Sequence, residues 1–394
     1  MKSMTTREKG VRDTSALDFS DSLKEQIRIM SEKCIKCKLC QKECAFLRKF
    51  GKPKDIADHY DPTEKLYQGM PFECSLCQLC AAVCPAQINP AEMFLDMRRE
   101  TVRRGKGNYS EHARILGYEK RGISKKYTFY ALPQGCDTVL FPGCALAGTR
   151  PHRVQDLYAH IQRSIPSLGI VLDCCALPSH DLGRADDFHR MFDQMRHFLL
   201  NSGIRHVVVT CPSCYKVFKQ YGYELTVTTA YEIIAEMDMP VTGQVNGIIT
   251  VQDSCASRFD KNVQDAVRDL ASAKGLSIEE MPHCGNRTFC CGEGGSVAPI
   301  NPDFAQNWGH MRKREADGKK IVTYCAGCAS LLGSSTPTIH ILDLIFEPKK
   351  SLSGKAKIAR SPFTYLNRLK LKNYFKKTVQ GPVTRERTFR SDTE

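Results

Sequence analysis

Two runs of cysteines near the N-terminus carry the clearest chemistry in the sequence: Cys34-x2-Cys37-x2-Cys40-x3-Cys44 and Cys74-x2-Cys77-x2-Cys80-x3-Cys84-Pro85. Three thiolates at this spacing wrap one corner of a 4Fe-4S cube, and the fourth ligand of each run crosses to the other cluster. The expected sets are Cys34, Cys37, Cys40 and Cys84 for one cluster and Cys74, Cys77, Cys80 and Cys44 for the other. Zinc sites usually show paired CxxC units at longer separations. Ala45 stands where the first run would usually carry Pro, which loosens a turn and removes no ligand.

Ten more cysteines fall in two ordered sets. Cys144, Cys174-Cys175 and Cys211-x-x-Cys214 recur, 111 to 116 residues later, as Cys255, Cys290-Cys291 and Cys325-x-x-Cys328. Each CxxC closes a β-branched run, VVVTCPSC and IVTYCAGC, and opens a helical stretch. Five cysteines in one order, twice, read as an internal duplication of units of ~100 residues. Cys211-Pro212-Ser213-Cys214 has the spacing of a thioredoxin-type redox pair, but that leaves Cys144, Cys174 and Cys175 without a role. A zinc site takes four ligands and leaves a fifth thiolate over. Five thiolates per set suit a larger iron–sulfur assembly better.

The order Cys, Cys-Cys-Gly, Cys-x-x-Cys resembles the CCG, or cysteine-rich, domain. It is carried by the FPGC stretch ending at Cys144, by Cys290-Cys291-Gly292 and by Cys325-Ala326-Gly327-Cys328. Two ferredoxin-type runs followed by two such copies resemble the D subunit of heterodisulfide reductase and the C subunit of anaerobic glycerol-3-phosphate dehydrogenase, over about residues 31–347. The resemblance implies non-cubane 4Fe-4S clusters held by five cysteines per copy, which in heterodisulfide reductases reduce a disulfide. Carried over, the ligands are Cys144, Cys174, Cys175, Cys211 and Cys214, then Cys255, Cys290, Cys291, Cys325 and Cys328, the second set being the catalytic one. The first copy departs from the pattern, with Ala176 in place of the Gly. One or two further clusters are therefore expected beyond the two 4Fe-4S clusters.

These thiolates need a helical N-terminal module and an α/β body to position them. Asp61-Pro62-Thr63-Glu64, between the first two runs, is a helix start. It predicts a helical two-cluster ferredoxin module at 31–100, after a polar lead-in at 1–30. Residues 101–135 are basic and Gly-punctuated and predict a linker. Beyond them, short apolar runs at Thr138–Phe141, Ile170–Leu172, His206–Thr210, Gly247–Val251 and Lys320–Tyr324 read as strands. Helices are predicted at Ala185–Asn201, Asn262–Lys274 and Asp303–Glu315, and the alternation implies parallel sheets. The predicted fold class is α+β and multi-domain: an N-terminal α-helical ferredoxin with two 4Fe-4S motifs, then tandem α/β CCG half-domains at 136–240 and 241–347, then a basic amphipathic tail at 348–394.

Composition supports metal-bound thiolates. Cysteine accounts for 20 of 394 residues, and the N-terminus, MKSMTTREKGVRD, has no apolar core of a secretory signal. No apolar run reaches the ~18–20 residues of a membrane span. A cytoplasmic, reducing location is expected, where disulfides rarely persist. The net charge is +14, but residues 349–394 hold 13 Lys and Arg against 3 Asp and Glu. The basic balance thus belongs to the tail, and no nucleic-acid partner is expected. That tail interleaves Phe363, Leu366, Leu369, Tyr374 and Phe375 with Arg368, Lys370, Lys372, Lys376 and Lys377. Such a segment can lie on the anionic inner face of a membrane or dock on a partner.

No GxGxxG follows a strand, and there is neither a P-loop nor a haem CxxCH. No flavin or NAD is expected in this chain, and electrons must come from a partner such as a flavoprotein, a ferredoxin or a membrane cytochrome b. Lys33, Lys36, Lys38 and Lys42 rim the first run and suit an acidic partner. Ordinary structural roles are expected for His180, His283, His310 and His340, for Cys136 and Cys284, and for the Asp253 and Arg258 that flank Cys255. The functional expectation is an iron–sulfur redox subunit of an anaerobic-type oxidoreductase complex, relaying electrons through two 4Fe-4S clusters to a CCG-bound cluster. The alternative is an electron-transfer or docking subunit with no substrate of its own.

Overall fold

The computed structural model describes residues 19–387; the first part of the expected lead-in and the end of the expected tail lie outside the described residues. The lead-in ends sooner than expected, because α1 (Asp21–Lys33) begins inside it. Ser20 caps this helix by accepting from the Leu23 amide at 3.3 Å. Leu23, Ile27 and Met30 fall on one helical face and are buried. That face packs on α2 (Pro53–His59) and α3 (Pro90–Arg103), in a core shared with Phe46, Phe94 and Met97. Both N-terminal cysteine runs sit in this helical unit.

The stretch expected to be a linker is folded. It holds the last turn of α3, then α4 (Ala113–Gly122), then β1 (Phe129–Leu132), whose four residues are all buried. The remaining strands are β2 (Thr138–Phe141), β3 (Gly169–Leu172), β4 (His206–Val209), β5 (Thr226–Thr229), β6 (Ile248–Gln252), β7 (Ser277–Ile278), β8 (Lys320–Thr323), β9 (Thr338–His340) and β10 (Val383–Arg385). They form two sheets, ordered β10-β1-β3-β2-β4-β5 and β7-β6-β8-β9. The stretches β3-β2-β4-β5 and β7-β6-β8-β9 share one order and are parallel throughout. Val139 pairs with Val207 in one and Val251 with Val322 in the other. Parallel sheets are covered on both faces, here by α5 (Cys144–Thr149), α6 (Ala185–Asn201), α7 (Pro212–Tyr221), α8 (Lys261–Ala273), α9 (Pro302–Ala316) and α10 (Ala326–Leu332) among others. The five strands and three helices expected from apolar runs lie within a residue or two of these positions.

The C-terminal segment is also part of the fold. Its helix α11 (Phe363–Thr378) packs along α5. Leu371 and Phe375 are fully buried, with Phe375 edge-on to Tyr158 at 5.1 Å. Strand β10 pairs antiparallel with β1, with Tyr130 opposite Arg385. Arg368 and Lys372 are buried with them, and the Lys372 ammonium donates to the Lys125 carbonyl at 2.6 Å. Phe363, Leu366 and Tyr374 remain exposed. Among the described residues no helix is long and apolar enough to cross a membrane.

Candidate metal centres

The two N-terminal runs fold with the same backbone trick. Lys36 and Lys38 in the first, and Leu76 and Gln78 in the second, adopt left-handed conformations with φ of 55°, 69°, 48° and 59°. Each such residue costs roughly 1 kcal/mol or more for a side chain with a Cβ. The turns curl the chain so that successive thiols point inward, and a short helix then carries the third cysteine. One cavity is lined by Cys34, Cys37, Cys40 and Cys84. A second is lined by Cys44, Cys74, Cys77 and Cys80. The fourth cysteine of each run therefore lies with the first three of the other.

The donor set fits a 4Fe-4S cluster at each cavity: four thiols each, with Cys80 reaching the wall of the first cavity as well, no His or Asp among the lining residues and a single Glu, Glu73, which is held by Lys49 at 2.8 Å and Asn301 at 2.7 Å. Burial pushes the Cys40 thiol up to about 11 and the Cys44 thiol up to about 12, and it raises Cys74 further. Such thiols stay protonated until iron displaces the protons. The two cavities differ in exposure. Cys37 and Ile35 face solvent at the first, while Phe304 and Trp308 of α9 close the second. The Trp308 indole donates to Ser75 Oγ at 3.2 Å.

The second cysteine-rich set forms a continuous chain of sulfur contacts. Cys255 meets Cys290, Cys290 meets Cys291, and Cys291 meets Cys328 at 3.1 Å, with Cys325 beside Cys328. The first set is grouped the same way: Cys144 with Cys174, and Cys175 with Cys214 and Cys211. Gly143 ties the two groups, since a Cβ there would lie 3.3 Å from Cys214 Sγ. Shared hydrogen bonds split the thiols. Cys144 falls to about 6, chiefly through Cys174, and Cys291 falls to about 7, chiefly through Cys290; Cys174 and Cys328 move up. Each set thus gathers five sulfurs deep in the protein, with the Tyr118 hydroxyl hydrogen-bonded to Cys144 in the first, consistent with a bound iron–sulfur cluster. Among the described residues no three Cys, His, Asp or Glu side chains converge on a point that would hold a single metal ion.

The sequence did not reveal how closely these centres are joined. Gly294 and Gly295 lie flat on the first residues of the second run: a Cβ on either would come within 2.5 Å of the Ser75 or Cys74 carbonyl oxygen. Cys77, Phe289, Cys290 and Trp308 pack in one apolar cluster, with Cys255 at its edge. Arg98 of α3 is fully buried and donates to the carbonyls of Pro71, Cys74, Asp181 and Gly295 at 2.6–2.9 Å. Tyr231 Oη lies 2.6 Å from the Thr210 carbonyl oxygen and 2.7 Å from that of Tyr324. Those residues precede Cys211 and Cys325, so one hydroxyl holds both CxxC turns together. Glu293 presses against Gly327 in the second CxxC, and burial raises its carboxyl to about 7, with Cys211 and Cys144 adding to the rise. Arg98 precedes the run read as linker and Tyr231 has no distinguishing sequence signal, whereas Glu293 lies in the Gly-rich stretch after Cys290-Cys291 that reads as a cluster-side loop.

The other residues singled out by the sequence have structural partners. Asp253 forms a bidentate pair with Arg268, at 2.8 and 2.9 Å, and accepts from the Gly285 amide. Arg258 donates to the Cys77 carbonyl at 2.8 Å. His283 sits between Glu43 and Glu315 and stacks on Phe289. His180 bridges Asp181 and Tyr221, His340 caps the helix Ile341–Phe346, and His310 is exposed. Cys136 is buried against Thr138, and Cys284 lies near Glu280 and Arg268, apart from the sulfur chain.

Comparison with known proteins agrees with this arrangement. Residues 30–88 match the 4Fe-4S dicluster domain, and residues 138–219 and 249–333 each match the cysteine-rich domain, CCG. The B subunit of fumarate reductase (CoM/CoB) from Methanothermobacter marburgensis is 25% identical over 81% of this chain and 70% of its own. The D subunit of dihydromethanophenazine:CoB--CoM heterodisulfide reductase from Methanosarcina mazei is 23% identical over 72% of this chain and 77% of its own. EtfAB:quinone oxidoreductase of Syntrophomonas wolfei is 23% identical over 66% of this chain, which spans only 43% of that protein. The chain belongs to the CCG family of iron–sulfur proteins, with a dicluster domain followed by two cysteine-rich domains.

Proposed function

We propose that this chain is the electron-relay subunit of an oxidoreductase complex, with two 4Fe-4S clusters in its helical unit and further clusters in its two cysteine-rich half-domains. When bound, the clusters supply one-electron transfer. The first cavity, with Cys37 and Ile35 at the surface and the lysine rim around it, is the entry point for electrons from an acidic partner. Lys36 of that rim pairs with Asp55, which leaves Lys33, Lys38 and Lys42 to present the charge. The buried cavity of Cys74, Cys77, Cys80 and Cys44 passes electrons on to the set of Cys255, Cys290, Cys291, Cys325 and Cys328. The observation that carries this reading is the direct packing of Cys77 and Ser75 on Cys290 and the Gly294–Gly295 turn. It supports an order in which the second cysteine-rich set follows the buried cavity.

The protein's own residues hold this line rigid and dry. Arg98, Arg258 and Trp308 fix the seam between the helical unit and the second set, and Tyr231 fixes the seam between the two sets. The related heterodisulfide and fumarate reductase subunits make oxidoreduction at the cysteine-rich sets the favoured chemistry, with a disulfide as substrate class. A cytoplasmic location, with the exposed Phe363, Leu366 and Tyr374 face of α11 against a membrane-bound partner, completes the proposal. Iron and labile sulfide analysis of anaerobically purified protein tests it. Iron near twelve or sixteen per chain fits one or two clusters beyond the pair, and iron near eight refutes occupancy of the cysteine-rich sets. Turnover of a disulfide with an artificial donor separates a reductase from a pure relay.

A further inference from the structure

The first cysteine-rich set has a buried arginine that comes from the C-terminal helix. Arg368 comes from α11, and α11 and β10 extend only the first sheet. The residue is only 4% exposed, yet among the described residues no carboxylate pairs with it. Its Nη2 makes one long hydrogen bond, 3.4 Å, to the Gly122 carbonyl, and its Nη1 has no partner. The guanidinium lies over the rings of Tyr127 and Tyr118, at 5.0 and 5.6 Å. It lines a small cavity with Cys144, Gly143, Tyr127, Leu172 and Asp173. Asp173 is not its counter-ion, because Arg387 takes that carboxylate at 2.9 Å. Gly122 brings the arginine to the sulfurs: a Cβ there would lie 3.6 Å from Arg368 Nη2 and 3.7 Å from Cys174 Sγ.

An arginine cannot discharge itself by losing a proton, and a buried charge without a partner costs several kcal/mol. The anions within its reach are sulfurs. We propose that Arg368 is the counter-charge and N–H donor of an anionic iron–sulfur cluster held by the first cysteine-rich set, so that the C-terminal helix is a working part of that site. The proposal rests on the reading that this set holds a cluster. A positive charge at the sulfurs favours the more negative, reduced cluster, so Arg368 sets this cluster's potential above the value its cysteines alone would give.

The test uses the full chain, purified anaerobically, in four forms: wild type, Cys144→Ser, Arg368→Gln and Arg368→Met. Each is followed by EPR-monitored redox titration and iron content. A signal lost in Cys144→Ser identifies the first set's cluster. In Arg368→Gln that signal alone is expected at lower potential, by at least the 59 mV that corresponds to a tenfold weaker preference for the reduced state in a one-electron couple. Arg368→Met fills the space without charge and should shift it the same way, which keeps the test open if the Gln variant folds poorly. A Cys144-dependent signal whose potential is unmoved in both variants overturns the role of Arg368. The absence of any Cys144-dependent signal in fully loaded wild type overturns the underlying reading that the first set is occupied.

Discussion

Replacing Arg98 should loosen the seam where three parts of the protein meet. Pro71 and Cys74 belong to the helical unit, Asp181 to the first cysteine-rich region and Gly295 to the second, and Arg98 donates to all four carbonyls. Among the described residues no carboxylate forms an ion pair with it, although the nearby Asp181 carboxylate favours its charge; the charge is solvated by carbonyl dipoles and by the Phe72 ring at 5.1 Å. Burial lowers the guanidinium to about 10, so it stays charged at neutral pH and the effect should not vary between pH 6 and 8. In Arg98→Met the buried charge is gone, which returns part of its desolvation cost, but four buried carbonyls lose their donor at roughly 1–3 kcal/mol each. The net loss should be about 3–5 kcal/mol, the range for removing one partner from a buried charged network. Thermal unfolding of the anaerobic protein, with hydrogen exchange at Cys74–Ser75 and Gly294–Gly295, reads both the global and the local effect. Arg98→Lys keeps a charge with three donors and no planar fork, and should fall between. An unchanged transition, with unchanged protection of those two turns, would show that Arg98 does not fasten the seam.

The remaining expectations are narrower. Cys44→Ser should damage the cluster whose other ligands are Cys74, Cys77 and Cys80, and Cys84→Ser the cluster of Cys34, Cys37 and Cys40; EPR that shows each loss in the ligand's own run would reverse the crossing. Phe375→Ala should cost about 3–5 kcal/mol, and deletion of residues 363–394 should abolish soluble, cluster-bearing protein; a deletion that keeps its full iron content would mean the C-terminal helix is dispensable. Gly292→Ala should prevent loading of the second cysteine-rich set, whereas Ala176→Gly should stay within about 1 kcal/mol of wild type; equal iron content in the two variants would contradict this. The buried His340 ring, beside Arg150, is held down to about 3 from 6.5, chiefly by burial. Below pH 6.5 the unfolded chain takes up a proton that the folded one refuses, so stability should fall on acidification at up to about 1.4 kcal/mol per pH unit. His340→Asn, which puts a side-chain oxygen in place of the Nδ1 that accepts from the Leu342 amide, should flatten the stability difference between pH 7.5 and 5.5; an identical slope in the variant would exclude this residue as the source.

What the sequence disclosed, and what it hid, follows from how local each signal is. Cysteine spacing is local, and so the two cavities could be expected, each with the fourth cysteine of the other run at its wall. Short apolar strands ending in CxxC are local too, and they mark the parallel order found in both sheets. The helix α1 was legible but masked by composition: Leu23, Ile27 and Met30 recur at helical spacing among ten mostly charged or polar neighbours. For α11 the amphipathic pattern misled, because Arg368 and Lys372 are on its buried side and use their aliphatic stems and polar heads inside the fold. Strand β10 has only three residues and acquires its conformation by pairing with β1. Arg98 and Tyr231 act across 21 to 197 residues of chain, a separation at which no spacing rule operates.

The two cysteine-rich sets differ most at the residue after the paired cysteines, and the difference has a geometric cause. Ala176 and Gly292 both need positive φ, at 57° and 105°. The first value lies in the left-handed region that an alanine reaches at a cost of roughly 1–2 kcal/mol. The second is open only to glycine, and a Cβ there would also sit 2.3 Å from the Ala305 carbonyl oxygen. Gly292, Gly294 and Gly295 flatten the loop so that it fits between α9 and the Cys74–Ser75 backbone. The first set has no such squeeze, because its loop turns toward α4, where the Ser179 amide donates to Glu119 at 3.0 Å. Packing therefore orders the centres. Cys290 and Cys77 share one apolar cluster, so the second set is the one packed directly on the buried cavity. The first set lies across the Tyr231 seam, beside Glu293 and under Arg368.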